Sequence, residues 1–103
     1  MNALKLLTYI QVCLLIASCA SRPAAWASDL GSKLRCGMSV SEVQGLANRP
    51  VEPLNRDWAT HFIRDGATDV WLTFSNGQLS SYQIAWVKPL TIVEKADPVK
   101  LCK

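Results

Sequence analysis

The sequence predicts an α+β domain: two short N-terminal helices packed on a three-stranded antiparallel β-meander, with an extended C-terminal arm. Three observations carry that prediction. Ser39 and Glu42 stand at capping-box spacing, where each side chain satisfies a backbone donor that the first helical turn leaves free. Apolar and polar residues alternate on both sides of Asn76-Gly77, the strongest hairpin signal in the chain. The helix that Ser39 opens has only about two turns, too few to be stable alone in water, so it needs a platform.

In chain order, Lys5 precedes a mostly apolar run from Leu6 to Ala17, followed by Ser18 and Cys19. A positive start, an apolar stretch and a small residue before a cut site read as a bacterial export signal over residues 1–18. The run falls short of the ~20 residues of a comfortable membrane span. A signal-anchor helix and an ordinary secretory peptide are the alternatives. Ile16-Ala17-Ser18-Cys19 resembles a lipobox, the pattern at which a signal peptide is cut before a Cys that receives lipid. The resemblance implies a mature chain beginning at Cys19 with three acyl chains, and several chains anchor almost irreversibly where one does not. Ala20 stands where an Asp would resemble an inner-membrane retention signal, which implies the outer membrane, facing the periplasm. Residues 19–28 then read as a lipidated tether of small residues with one Pro. Trp26 within it either rests at the membrane interface, where amphipathic rings are favoured, or packs on the domain.

The domain itself spans residues 29–103. Asp29 can cap a helical turn from Leu30 to Arg35, with Leu30 and Leu34 on one face. Gly37 separates it from the second helix, which places Val40, Val43, Leu46 and Ala47 on one face and Met38 against Val43 as a hydrophobic staple. Asn48 suits the left-handed exit, and Pro50 blocks continuation. Residues 51–57 form a polar loop. Strands are expected at Trp58–Arg64, ended by Asp65-Gly66, at Asp69–Ser75, and at Leu79–Val87, ended by Pro89. A fourth edge strand is possible at Leu90–Glu94. Alternation points Val70, Leu72 and Phe74 one way, matched across the turn by Tyr82, Ile84 and Trp86. Trp58 and Phe62 share a face of the first strand.

Gly37-Met38-Ser39, Glu42-Val43 and a helix stop before Pro50 resemble the signature of the SmpA/OmlA (BamE-like) small outer-membrane lipoproteins. Trp58, Leu72-Thr73-Phe74 and Asn76-Gly77 continue the likeness in order and spacing, over roughly Asp29 to Ala85. Asn48 replaces the Gly usual in that pattern, and both residues accept the left-handed conformation. The arm and Cys36 and Cys102 lie outside the motif. The resemblance implies a role near outer-membrane β-barrel assembly or envelope maintenance, with an envelope or β-barrel assembly protein as partner.

The 103 residues suffice for one small domain, and the net charge of +3 is scattered without a basic run, which argues against nucleic-acid binding. Of four cysteines, Cys13 falls in the signal and Cys19 takes the lipid, leaving Cys36 and Cys102 to pair as a disulfide in an oxidising compartment. A redox-active pair is the alternative, without a Cys-x-x-Cys to favour it. His61 is the only His, which argues against a metal set, and it reads as an ordinary surface or satisfied strand residue. With no nucleophile–base spacing, cofactor loop or small-molecule pocket expected, the chain reads as non-catalytic and without cofactors. Candidate partner-binding residues are Trp71, out of phase with the apolar set, and Thr73 and Gln83 on the same face; the arm covering Trp71 is the alternative. Arg49 and Arg56, flanking the polar loop, are candidates for lipid head groups. A second functional expectation is a disulfide-stapled lipoprotein inhibitor of a cell-wall-degrading enzyme, which would need a protruding loop that Asn76-Gly77 does not offer.

Overall fold

Two tight turns generate the centre of the sheet. Asn76 (φ 53°) and Gly77 (φ 76°) both take left-handed backbone, as the two central residues of a type I′ hairpin must. Gly66 (φ 66°) supplies left-handed backbone to the preceding turn, one strand earlier. The computed structural model describes residues 22–54, 59–88 and 92–103; the signal segment with Cys13 and Cys19, and Arg56, Trp58 and Pro89, lie outside them. Around the turns run strand β2 (Thr60–Asp65), β3 (Thr68–Ser75) and β4 (Gln78–Lys88), each antiparallel to the next. These are the three strands of the expected meander.

The sheet does not stop there. Six strands form it, so the three-stranded description is corrected. Strand β1 (Glu52–Pro53) lies in the segment read as a polar loop and pairs with β2. The segment read as an extended arm supplies β5 (Ile92–Lys95), overlapping the fourth edge strand offered at Leu90–Glu94, and β6 (Val99–Lys100), which was not expected; both pair with β4. The physical reason is the length of β4. Its eleven residues expose a long outer edge of backbone donors and acceptors, and an uncovered edge of that kind invites pairing. Two short strands laid end to end cover it, with Ala96 N–H donating to Ile84 O (2.9 Å) at the step between them.

Alternation assigned the inner face correctly. Val70 pairs with Ile84, Leu72 with Tyr82 and Thr68 with Trp86, and Val70, Leu72 and Phe74 are buried. A bulge between Thr73 and Phe74 moves Phe74 opposite Leu79, which is fully buried. Ile63 and His61 join from β2, with the His61 ring edge-on to Phe74 at 4.9 Å. Phe62 points to the other face, opposite Trp71.

Two helices cover this face. Helix α2 (Val40–Ala47) is built as its sequence dictates. Ser39 Oγ accepts from Glu42 N–H (3.1 Å), Glu42 Oε1 accepts from Ser39 N–H (3.4 Å), and Asn48 exits at φ 52°. Helix α1 (Ala25–Lys33) differs from expectation. It begins inside the stretch read as tether, and Asp29 is not its cap but a mid-helix residue paired with Lys33 (3.0 Å). Its N-cap, Ala24, has no capping side chain of its own; Ala24 N–H instead donates to the buried Thr68 Oγ1 (2.9 Å). Starting early puts Ala27 in the core beside Leu30 and Leu34, and packs Trp26 on the domain. Among the described residues no helix is long and apolar enough to cross a membrane.

The far end of α1 meets the sheet through the backbone. Gly37 N–H donates to Leu79 O (2.8 Å) and Leu79 N–H donates to Met38 O (2.8 Å). On the C-terminal side, Leu101 N–H donates to Ser80 O (2.9 Å). These bonds bring the residues before Gly37 and after Leu101 together, and Cys36 and Cys102 form a disulfide with Cα atoms 5.0 Å apart. It closes a loop of 66 residues in sequence separation, worth about 4 kcal/mol in the chain-entropy model.

Two predictions follow from this packing. A Cβ on Gly31 would lie 2.8 Å from the Tyr82 hydroxyl, whereas one on Gly45 would meet nothing within 4 Å. Urea denaturation should therefore find Gly45→Ala stabilising by about 0.5–1 kcal/mol, the helix-propensity gain, and Gly31→Ala neutral or destabilising as overpacking opposes the same gain. The Cys36→Ser/Cys102→Ser double variant should lose about 2–5 kcal/mol, and reductant should lower the wild-type midpoint by a similar amount while leaving the variant unmoved.

Candidate functional site

The face of the sheet turned away from the helices is built by the residues that alternate out of the core. Cross-strand register sets Phe62 beside Trp71, Arg64 beside Asp69, Trp71 beside Gln83 and Asp69 beside Ala85. Trp71, Thr73 and Gln83 thus share one surface, as alternation predicts. Thr73 is exposed, while Trp71 and Gln83 are half-buried.

Charge is distributed over this face in a specific way. Arg64 grips Asp69 with two bonds, Nε to Oδ1 (2.8 Å) and an Nη to Oδ2 (2.9 Å), the bidentate geometry that planar guanidinium favours. The hydrogen bond to Asp69, and then its charge, raise the Arg64 pKa above its ordinary value. Asp69 Oδ2 also receives the Trp71 Nε1–H (3.4 Å). The same Arg64 lies over Phe62 (5.0 Å), and Lys95 of β5 lies over Trp71 (4.9 Å). Two aromatic rings are therefore each capped by a cation, with Asp69 orienting one cation and one ring. Contacts of this kind contribute about 0.5–1 kcal/mol each at exposed sites.

The C-terminal segment takes part without closing the surface. Lys95 caps the Trp71 ring, and Gln83 Nε2 donates to Ala96 O (2.9 Å). Thr73 remains uncovered beyond them. Next to the capped rings a shallow cleft of about 410 Å³ opens between Arg64, Asp69 and Trp71 on one side and Ala85, Val87 and Val93 on the other.

Arg49 is set apart from this surface, on the helix side. Its guanidinium donates to Asp65 Oδ2 (2.7 Å) and Ala47 O (3.0 Å) and lies over the Trp26 ring (4.4 Å). It thereby joins the end of α2, the start of α1 and the β2–β3 turn, and offers less to a head group than an unengaged cation would. Arg56 lies outside the described residues. The Asn76-Gly77 tip closes directly with the Ser75–Gln78 pair, so it projects no loop. Among the described residues no group of three or more His, Cys, Asp or Glu is arranged to hold a metal.

Sequence reasoning gives Arg64, Asp69, Phe62 and Lys95 no functional role. A signal for the first two exists: counting outward from the Gly66 turn makes Arg64 and Asp69 direct cross-strand partners of opposite charge. Lys95 had no such signal, because its strand pairs across a segment with weak alternation. Comparisons with protein-family models, curated proteins and solved structures find no match to this chain.

The two faces should respond differently to truncation. Arg64→Ala, with a side chain 62 % exposed, should cost less than about 1 kcal/mol in urea denaturation. Leu72→Ala, on the covered face, should cost about 2–5 kcal/mol.

Proposed function

We propose that this protein is a non-catalytic, lipid-anchored interaction domain on the periplasmic side of the bacterial outer membrane. Its work is to assist outer-membrane protein assembly or to maintain envelope integrity through binding an envelope protein. The observation that carries the reading is the open sheet face. Trp71 stands there with its ring oriented by Asp69 and Lys95, bordered by the exposed Thr73. Pre-oriented aromatic anchors surrounded by satisfied polar groups are what protein partners use as binding centres. The lipobox-like Ile16–Cys19 and the likeness of Gly37–Pro50 to small outer-membrane lipoproteins support the address and the partner class. The inhibitor alternative gains nothing from the tight Asn76-Gly77 tip.

The reading is tested in cells with a photo-crosslinking residue at Thr73, and with a second at Ser41 on the exposed surface of α2 as control. Thr73 should capture an envelope protein that Ser41 does not, and Trp71→Ala should reduce that adduct severalfold while circular dichroism shows the domain still folded at the crosslinking temperature. Equal capture at both positions, or an adduct indifferent to Trp71→Ala, would reject the open face as the binding surface.

A further inference from the structure

The chain enters the sheet at only one of its two ends. The first described residue, Arg22, lines a cleft with Ala24, Asp65, Gly66 and Ala67, so the N-terminal segment arrives at the β2–β3 turn. Helix α1 and the extended residues that follow it then carry the chain along the sheet and deliver Cys36 to the start of β4. The disulfide, Asn76-Gly77 and the C-terminus therefore gather at the opposite end. The eight residues of β3 separate the two turns by about 26 Å.

Only three peptide units join Cys19 to Arg22. Even fully extended they reach about 11 Å. A lipid on Cys19 would hold the β2–β3 end within that distance of the head groups and leave the opposite end well removed.

The surface at the entering end suits that position. Val87 (42 % exposed), Ile92 (54 %) and Val93 (54 %) stand there as uncovered apolar side chains on adjacent strands, next to the exposed Gly66 and Ala67. Three cations near them are paired within the domain: Arg49 with Asp65, Arg64 with Asp69 and Lys88 with Glu94. Arg22 and Lys95 add positive charge with no acid partner among these pairs. Exposed apolar side chains with two surplus cations at the same end suit an anionic bilayer surface.

We infer that the end of the sheet formed by the β2–β3 turn, Val87 and Val93 is a membrane-apposed surface whose occupant is the bilayer that holds Cys19. This rests on the lipid anchor of the proposed function and extends it. The domain stands upright, with Asn76-Gly77 and the disulfide pointing into the periplasm and the Trp71 face presented sideways to partners.

The test uses the full lipidated chain, first weighed intact, then reconstituted in phosphatidylethanolamine–phosphatidylglycerol bilayers containing a gadolinium-chelate lipid. Amide signals of Ala67, Val87 and Val93 should lose most of their intensity, while those of Asn76 and Gly77 keep theirs. The Val87→Asp/Val93→Asp variant, equally lipidated, should recover much of the lost signal. A mass without acyl chains on Cys19 would overturn the anchor and this orientation together. Correct acylation with uniform broadening, or broadening concentrated at Asn76-Gly77, would overturn the orientation alone. Broadening unchanged in the double variant would show that the apolar side chains make no contact. Signals of Val87 and Val93 that shift with protein concentration and not with lipid would assign the surface to a second copy of the chain, and would equally overturn the inference.

Discussion

At the start of β4, Leu79 and Ser80 are held from two directions by segments distant in sequence. Leu79 exchanges both backbone groups with Gly37 and Met38, and Ser80 O accepts from Leu101 N–H. Leu79 itself is fully buried. Without this junction the turn between the helices would not sit on the sheet, and the C-terminal strands would have no fixed register along β4. The Cys36–Cys102 bond lies across the same junction and converts its hydrogen bonds into a permanent closure. A domain of this size buries too little apolar surface to stand comfortably on its core alone, which is where a cross-link contributes most.

From that fixed end the rest of the architecture follows by covering exposed backbone and apolar surface. Helix α1 leaves the junction along the inner face and reaches the β2–β3 turn, where Thr68 receives its first backbone donor. Helix α2 is locked against the same turn by Arg49, which bridges Ala47, Asp65 and Trp26. Strands β5 and β6 cover the outer edge of β4. The face opposite the helices is left for chemistry of a different kind, in which Asp69 aligns Arg64 and Trp71 and two cations cap two rings. A surface so pre-ordered loses little side-chain entropy on meeting a partner.

The division between what each level of structure contributes can be traced residue by residue. The ends of helix α2 were legible in the sequence, because its capping box and left-handed exit are local, although Leu46, placed on its apolar face, is exposed. Also legible were the two hairpin turns, the inner-face set Val70, Leu72 and Phe74, the pairing of Cys36 with Cys102, and the common surface of Trp71, Thr73 and Gln83. Each of these depends on spacing within a few residues or on elimination among a few cysteines.

The start of α1, the number of strands and the electrostatics of the open face emerge only when distant segments meet. The donor at the head of α1 is satisfied by Thr68, 44 residues away, so no nearby residue could announce the boundary, and Asp29 was a plausible but wrong local substitute. The β-branched run Thr91-Ile92-Val93 offers a strand locally, but its register, and the second short strand Val99–Lys100, are fixed only by the long edge that β4 presents. Lys95 reaches Trp71 for the same reason. Local periodicity fixes what a segment can become; which orphan donor, bare edge or exposed ring it completes is settled only when the chain is folded around it.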